Sequence, residues 1–197
     1  MESIEISALP ATTEYKLGAA QGKTYLDFTG EAIARNSYRM DGNLNYVDNS
    51  NRNDIASVTV ARDSEFLYFR ITTLEPITAY EAGDTAWMNI WLNTMNSGEK
   101  NALGYQYVIN RSVSGNKSAV MKATGNTTYE TVGEAEISVS GNTLCVKVAL
   151  SDLGLSDVNY DIEFKVSDNM QSERDFLDFY STGDCAPIGR LNFKFGY

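Results

Sequence analysis

The chain has 197 residues, 43% of them apolar and 21% charged, with 26 acidic against 16 basic side chains and no histidine. That length suits one domain with a sizeable core, and a formal charge of -10 argues against nucleic acid or an anionic membrane surface as partner. Without histidine the chain alone cannot build a Ser-His-Asp triad, a Cys-His dyad, a His-based zinc site or a His-ligated haem. Carboxylates, hydroxyls and oxygen-ligated calcium remain, or no chemistry at all.

The N-terminus, Met1 to Ile4, has no basic stretch leading into an apolar one, and no apolar run approaches the roughly 20 residues of a membrane span. The chain is then either cytosolic or what remains after a signal or upstream domain, and composition does not choose. Residues 1–45 read as N-terminal strands and loop packed on the following domain, or as the tail of an upstream region. Ile4 and Ile6, then Tyr25 to Phe28, are the strand candidates there. From Glu31 to Asp54 the chain is polar, and Asn43, Asn45, Asn49, Asn51 and Asn53 predict a long loop held by side-chain to backbone bonds or by a ligand.

Residues 46–197 carry period-two alternation. Ala56, Val58 and Val60 alternate with Ile55, Ser57 and Thr59, and Leu67, Phe69 and Ile71 with Tyr68, Arg70 and Thr72, which predicts two half-buried strands joined by the polar turn 62–65. Further strands are expected over 86–93, 104–111, 117–123, 134–139, 143–149, 160–166 and 190–195. Ser114-Gly115-Asn116 and Ser140-Gly141-Asn142 carry hairpin chemistry, with glycine free to take positive φ. One short helical turn is expected at 151–155, capped by Ser151 and ended by Gly154. Strands at about ten-residue spacing with Gly/Asn turns predict an all-β chain, a two-sheet antiparallel sandwich of jelly-roll type. Cys145 and Cys185 match neither a metal nor a redox spacing. They are either one disulfide or, the reading favoured here, two buried small apolar residues.

The order of motifs resembles a known family. YVDNSNRNDI from Tyr46 leads to VARDSEFLYF from Val60, EPIT from Glu75, WM at Trp87 and WLNT at Trp91. GYQYVINR from Gly104, DNMQ from Asp168, DFY from Asp178 and GDCAPIGRLNF from Gly183 follow. Together they are similar to the β-sandwich module related to carbohydrate-binding module family nine and the DOMON superfamily, found at the C-terminal end of secreted bacterial proteins of glycan metabolism. The resemblance spans about three quarters of the chain. It implies an extracellular, periplasmic or cell-surface module that has lost its signal peptide, a monomer that binds saccharide without catalysis. The haem-binding branch of that superfamily needs axial His or Met; this chain has no His, so that branch would require two of its six Met.

Saccharides are commonly held by aromatic faces and flanking amide, carboxylate or Arg groups. Period two places Trp87, Asn89, Trp91 and Asn93 on one strand face, and Tyr105, Tyr107, Ile109 and Arg111 on one face of the next. Trp87, Asn89, Trp91, Asn93, Tyr107, Arg111, Asp184 and Arg190 are therefore the candidate carbohydrate-binding residues. The competing reading has the Trp pair covering the core, and Arg111 and Arg190 pinning strand ends to acids such as Asp178 or Asp184. Asp48, Asn51 and Asp54 offer calcium-type oxygen ligands, which Asx-turns would equally explain. The carboxylate pairs Asp175/Asp178 and Glu134/Glu136 permit a glycosidase in principle, but nothing in the sequence marks either as buried. The alternative to sugar binding is a structural module docked on an upstream catalytic domain.

Overall fold

The computed structural model describes residues 22–30, 37–38, 45–46, 51–156, 161–180 and 182–196. The Ile4/Ile6 strand, most of the Asn-rich loop with Asp48, and the start of the 160–166 strand lie outside them. The strands are β1 (Lys23–Leu26), β2 (Ser37–Tyr38), β3 (Asn45–Tyr46), β4 (Ile55–Arg62), β5 (Phe66–Thr73), β6 (Asn89–Thr94), β7 (Tyr107–Ser114), β8 (Lys117–Ala123), β9 (Tyr129–Ser140), β10 (Thr143–Ala149), β11 (Ile162–Asp168), β12 (Asp184–Ala186) and β13 (Phe193–Phe195). The protein is all-β, as alternation and turn chemistry predict. Its helical content among the described residues is two 3-10 turns, Ser151–Leu153 and Phe176–Tyr180. The first is ended by Gly154 at φ 64°, as expected, but Ser151 lies within it and makes no capping bond.

The ladder is antiparallel and runs unbroken in the order β1-β4-β5-β10-β9-β8-β7-β6-β11-β12, with β13 also pairing β11 and β2 pairing β3 separately. Alternation tells which side of a strand meets the core but not where a ladder ends, so the expected division into two sheets is replaced by one sheet curled on itself. The curl is visible in the rings. Phe69 on β5 and Phe164 on β11 are far apart along the ladder, yet their ring centroids lie 5.5 Å apart. Tyr25 of β1 closes the end: its ring packs 5.2 Å from Phe164 and 4.7 Å from Phe193, and its hydroxyl donates to the Lys194 carbonyl oxygen.

Inside the curl lies one core, to which Val58, Val60, Leu67, Phe69, Ile71, Ile90, Leu92, Leu144, Val146, Phe164 and Val166 all contribute. A second cluster on the outer surface gathers Trp91, Tyr105, Val108, Met170, Phe179 and Cys185, and a third holds Ala61, Tyr68 and Cys145. Both cysteines are free and buried. Two-residue Gly-Asn turns close β7–β8 and β9–β10, where Gly115 and Gly141 take φ values of 60° and 56°. Gly183 has a steric role: a β-carbon there would stand 1.9 Å from the Asp168 carbonyl oxygen, so β12 could not approach β11 with any larger residue.

Candidate functional site

The strand face expected to carry the Trp pair is not formed. Met88 takes φ 43°, because its N–H donates to Asp168 Oδ1 (3.0 Å) while its carbonyl accepts from Asn110 Nδ2 (2.9 Å). That twist interrupts the alternation just before β6. Trp87 consequently turns into the main core, with Nε1 donating to the Thr78 carbonyl at 2.7 Å. Trp91 faces the outer cluster, where Nε1 donates to Ser167 Oγ at 2.7 Å and the ring packs on Tyr105 and Phe179. The two rings lie on opposite sides of the sheet and are 2% and 1% exposed, so they form no shared stacking face. Asn89 and Asn93 are buried as well, and Asn93 Oδ1 accepts the Gln106 N–H.

The next strand is interrupted in the same way. Asn110 at φ 69° marks a bulge between Ile109 and Val113, so Tyr107 stays on the core side while Arg111 swings outward. There Arg111 pairs with Glu173 and lies 5.1 Å over the Tyr129 ring, while burial draws its pKa down. Tyr105, expected beside Tyr107, belongs to the outer cluster instead. Asp184 is buried and its Oδ2 accepts the Ile55 N–H at 2.7 Å, tying β12 to β4. Arg190 is exposed and covers the Phe176 ring at 3.8 Å. Among these residues the pinning reading therefore describes Arg111, Asp184 and Arg190 better than a convergent sugar site, though Arg111 uses Glu173 and Arg190 an aromatic ring.

Of the calcium candidates, Asp54 is buried and its Oδ2 accepts the Gly30 N–H at 2.6 Å, and Asn51 takes φ 45°. Among the described residues no group of three or more acidic or cysteine side chains is arranged to hold a metal ion. The carboxylate pairs are occupied locally. Asp178 accepts the N–H groups of Gln171 and Ser172, Asp175 accepts that of Leu177, and Glu134 and Glu136 pair with Lys117 and Lys147 at the surface.

Sequence reading missed a buried ion pair. Arg52 Nε lies 2.7 Å from Asp168 Oδ2, its terminal nitrogen 3.2 Å from Asp168 Oδ1 and 3.1 Å from Asp84. Burial pushes the Asp168 carboxyl upward and Arg52 pulls the other way; burial lowers Arg52, but Asp168 and Asp84 outweigh it and hold the guanidinium charged. Lys165 is also fully buried, which depresses its pKa; its ammonium donates to the Pro187 carbonyl and lies 5.0 Å from the Phe179 ring centroid.

The ion pair bears on a cleft in which aromatic and amide groups meet. The 74–88 segment is moored by Arg52 to Asp84, by Asn53 to both the Thr78 N–H (2.8 Å) and Thr78 Oγ1 (2.9 Å), and by the Ile77 N–H to the Gly141 carbonyl (3.0 Å). Between this segment and the β7–β8 and β9 strands lies a cleft of about 220 Å³ lined by Ile77, Tyr80, Trp87, Val113, Asn116, Ile137 and Val139 among others. Tyr80 stands edge-on to Trp87, ring centroids 5.7 Å apart. No charged side chain lines the cleft. Among the described residues the Tyr80 hydroxyl and the Asn116 amide make no hydrogen bond, which leaves both tips available to a ligand. Trp87 is thus the single sequence candidate that reaches this cleft, by its core-facing side. Tyr80 and Asn116 went unmarked, although the Gly115-Asn116 turn was readable.

Comparison with protein families, with curated proteins and with solved structures returns no match. What defines the protein is its own architecture: an antiparallel all-β chain curled around one core, with an uncharged aromatic cleft beside two hairpins.

Proposed function

We propose that the protein is a non-catalytic saccharide-binding module whose site is the Tyr80/Trp87 cleft. The observation that carries this reading is the cleft's lining: an apolar base, an aromatic wall, and free hydroxyl and amide tips. Those groups serve the apolar face and the hydroxyls of a sugar ring respectively. The motif order that resembles family nine carbohydrate-binding modules supports the same reading, with a place in a larger secreted bacterial glycan-processing protein. Calcium is not required by it. Calorimetric titration with mono- and oligosaccharides is the test. Binding that Tyr80→Ala weakens at least tenfold is expected, and the absence of heat with every saccharide overturns the reading.

A second reading, docking against an upstream domain without sugar contact, draws on Leu26 and Phe28. They are 78% and 80% exposed at and just after the edge strand β1. It predicts that Phe28→Ser lowers the stability of the parent protein and leaves saccharide titrations blank.

A further inference from the structure

The apolar depth of the cleft bears on which sugar enters, an inference that rests on the saccharide reading above. The deep surface is hydrocarbon: Ile77 and Ile137 are buried, Val113 and Val139 half-buried, and Trp87 closes the base. The polar groups near it are already engaged or stand at the mouth. Thr78 Oγ1 accepts from Asn53, the Thr78 carbonyl accepts from Trp87, and the Ser138 side chain is hydrogen-bonded with Cys145, so of the polar side chains in the lining the Tyr80 hydroxyl and Asn116 amide remain. A plain hexose carries an oxygen on nearly every carbon. Entering this cleft, it would leave at least one hydroxyl against hydrocarbon with no partner, a loss comparable to a broken buried hydrogen bond. A uronic acid is worse placed, since the lining has no cation and the chain is at -10.

We propose that the cleft selects saccharides bearing a methyl substituent, as in acetamido or 6-deoxy sugars. The methyl is seated against Val113, Ile137 and Val139, and the ring oxygens or the acetamido group face Asn116 and Tyr80 at the mouth. At about 220 Å³ the cleft is below the roughly 300–1,000 Å³ of sites for drug-sized ligands, which fits one sugar unit rather than a chain.

Saturation-transfer NMR on the full chain tests this with N-acetylglucosamine, fucose and glucose as probes. Burying one methyl group is expected to give at least about fourfold tighter binding of a methyl-bearing sugar than of glucose. The methyl protons should receive the strongest saturation. The acetamido and deoxy arms separate the two sources of the methyl. Val113→Thr keeps the shape of a strand residue while adding a hydroxyl, and should abolish the preference; Val139→Thr serves if that variant does not fold. Equal affinity for all three sugars, or saturation centred on ring protons, overturns the methyl selectivity and leaves the binding reading standing. Saturation transfer to none of them overturns both.

Discussion

Replacing Arg52 by methionine keeps most of the side-chain length and removes the charge, and its consequences follow from the burial of Asp168. That carboxylate is fully buried and accepts from Arg52 through both oxygens; with the guanidinium gone, the neutral Met88 N–H and Asn53 side chain are the partners left to it. Breaking a buried pair from one side costs about 3–5 kcal/mol. The lower end applies, since the Arg52 side chain is 26% exposed and its bridge to Asp84 is partly solvated. About 3 kcal/mol corresponds to a fall in Tm of roughly 6–12 °C for a domain of this size. The pH dependence has a defined sign. Without Arg52 the folded-state pKa of Asp168 rises further above the unfolded value of about 3.9. The variant's deficit is therefore full above that raised pKa and shrinks as pH falls through it. Urea unfolding followed by near-ultraviolet circular dichroism at pH 7 and pH 4.5 measures both effects. Arg52→Met with Asp168→Asn should recover most of the loss. A loss under about 1 kcal/mol at pH 7, or a deficit that widens on acidification, would refute this account of the pair.

Other regions give separate tests. Burial pushes the Tyr25 hydroxyl up to about 12, so the folded state holds that proton more tightly than the unfolded chain; stability falls as pH rises from about 10 to about 12, and alkaline unfolding of Tyr25→Phe should be flatter there. The same variant costs about 1 kcal/mol near neutrality through the lost bond to the Lys194 carbonyl. Asn53→Gly keeps the positive φ of 52° but removes both bonds to Thr78 and the side-chain bond to Asp168, so saccharide affinity should fall by about tenfold and Tm by several degrees, measured by calorimetry and thermal scans. Cys145 and Cys185 are buried and free, and burial raises the Cys145 thiol above its usual range. Ellman's reagent should titrate neither in the native protein and both in urea; a native disulfide would leave no thiol in urea.

The strands were largely readable because period two follows from the pleat. β8 and β10 begin and end where alternation and the Gly-Asn turns place them, and Asp63 closes the β4–β5 turn by accepting the N–H groups of Glu65 and Phe66. The short strand β12 carries too few residues for any period and was missed. The site failed at two residues. Met88 and Asn110 adopt left-handed φ without being glycine, because Asp168, from far along the chain, and Asn110 clamp the Met88 peptide. No local pattern reports such long-range bonds, yet each reverses the facing of what lies beside it. Trp87 was therefore named for the wrong side of the sheet, and Arg111 was placed beside Tyr107 when the bulge turns it to Tyr129. The absence of histidine still excludes the same chemistry, and the cleft adds an uncharged lining to it.

The saccharide reading is tested most directly by the two tryptophan indole N–H signals in a nitrogen–proton correlation spectrum. Trp87 donates to the Thr78 carbonyl at the base of the cleft, and Trp91 donates to Ser167 on the far side of the sheet. Titrating with N-acetylglucosamine or fucose should move the Trp87 indole signal and leave that of Trp91 in place. Movement of Trp91 alone, or of neither signal at saturating sugar, would contradict a binding site at the Tyr80/Trp87 cleft.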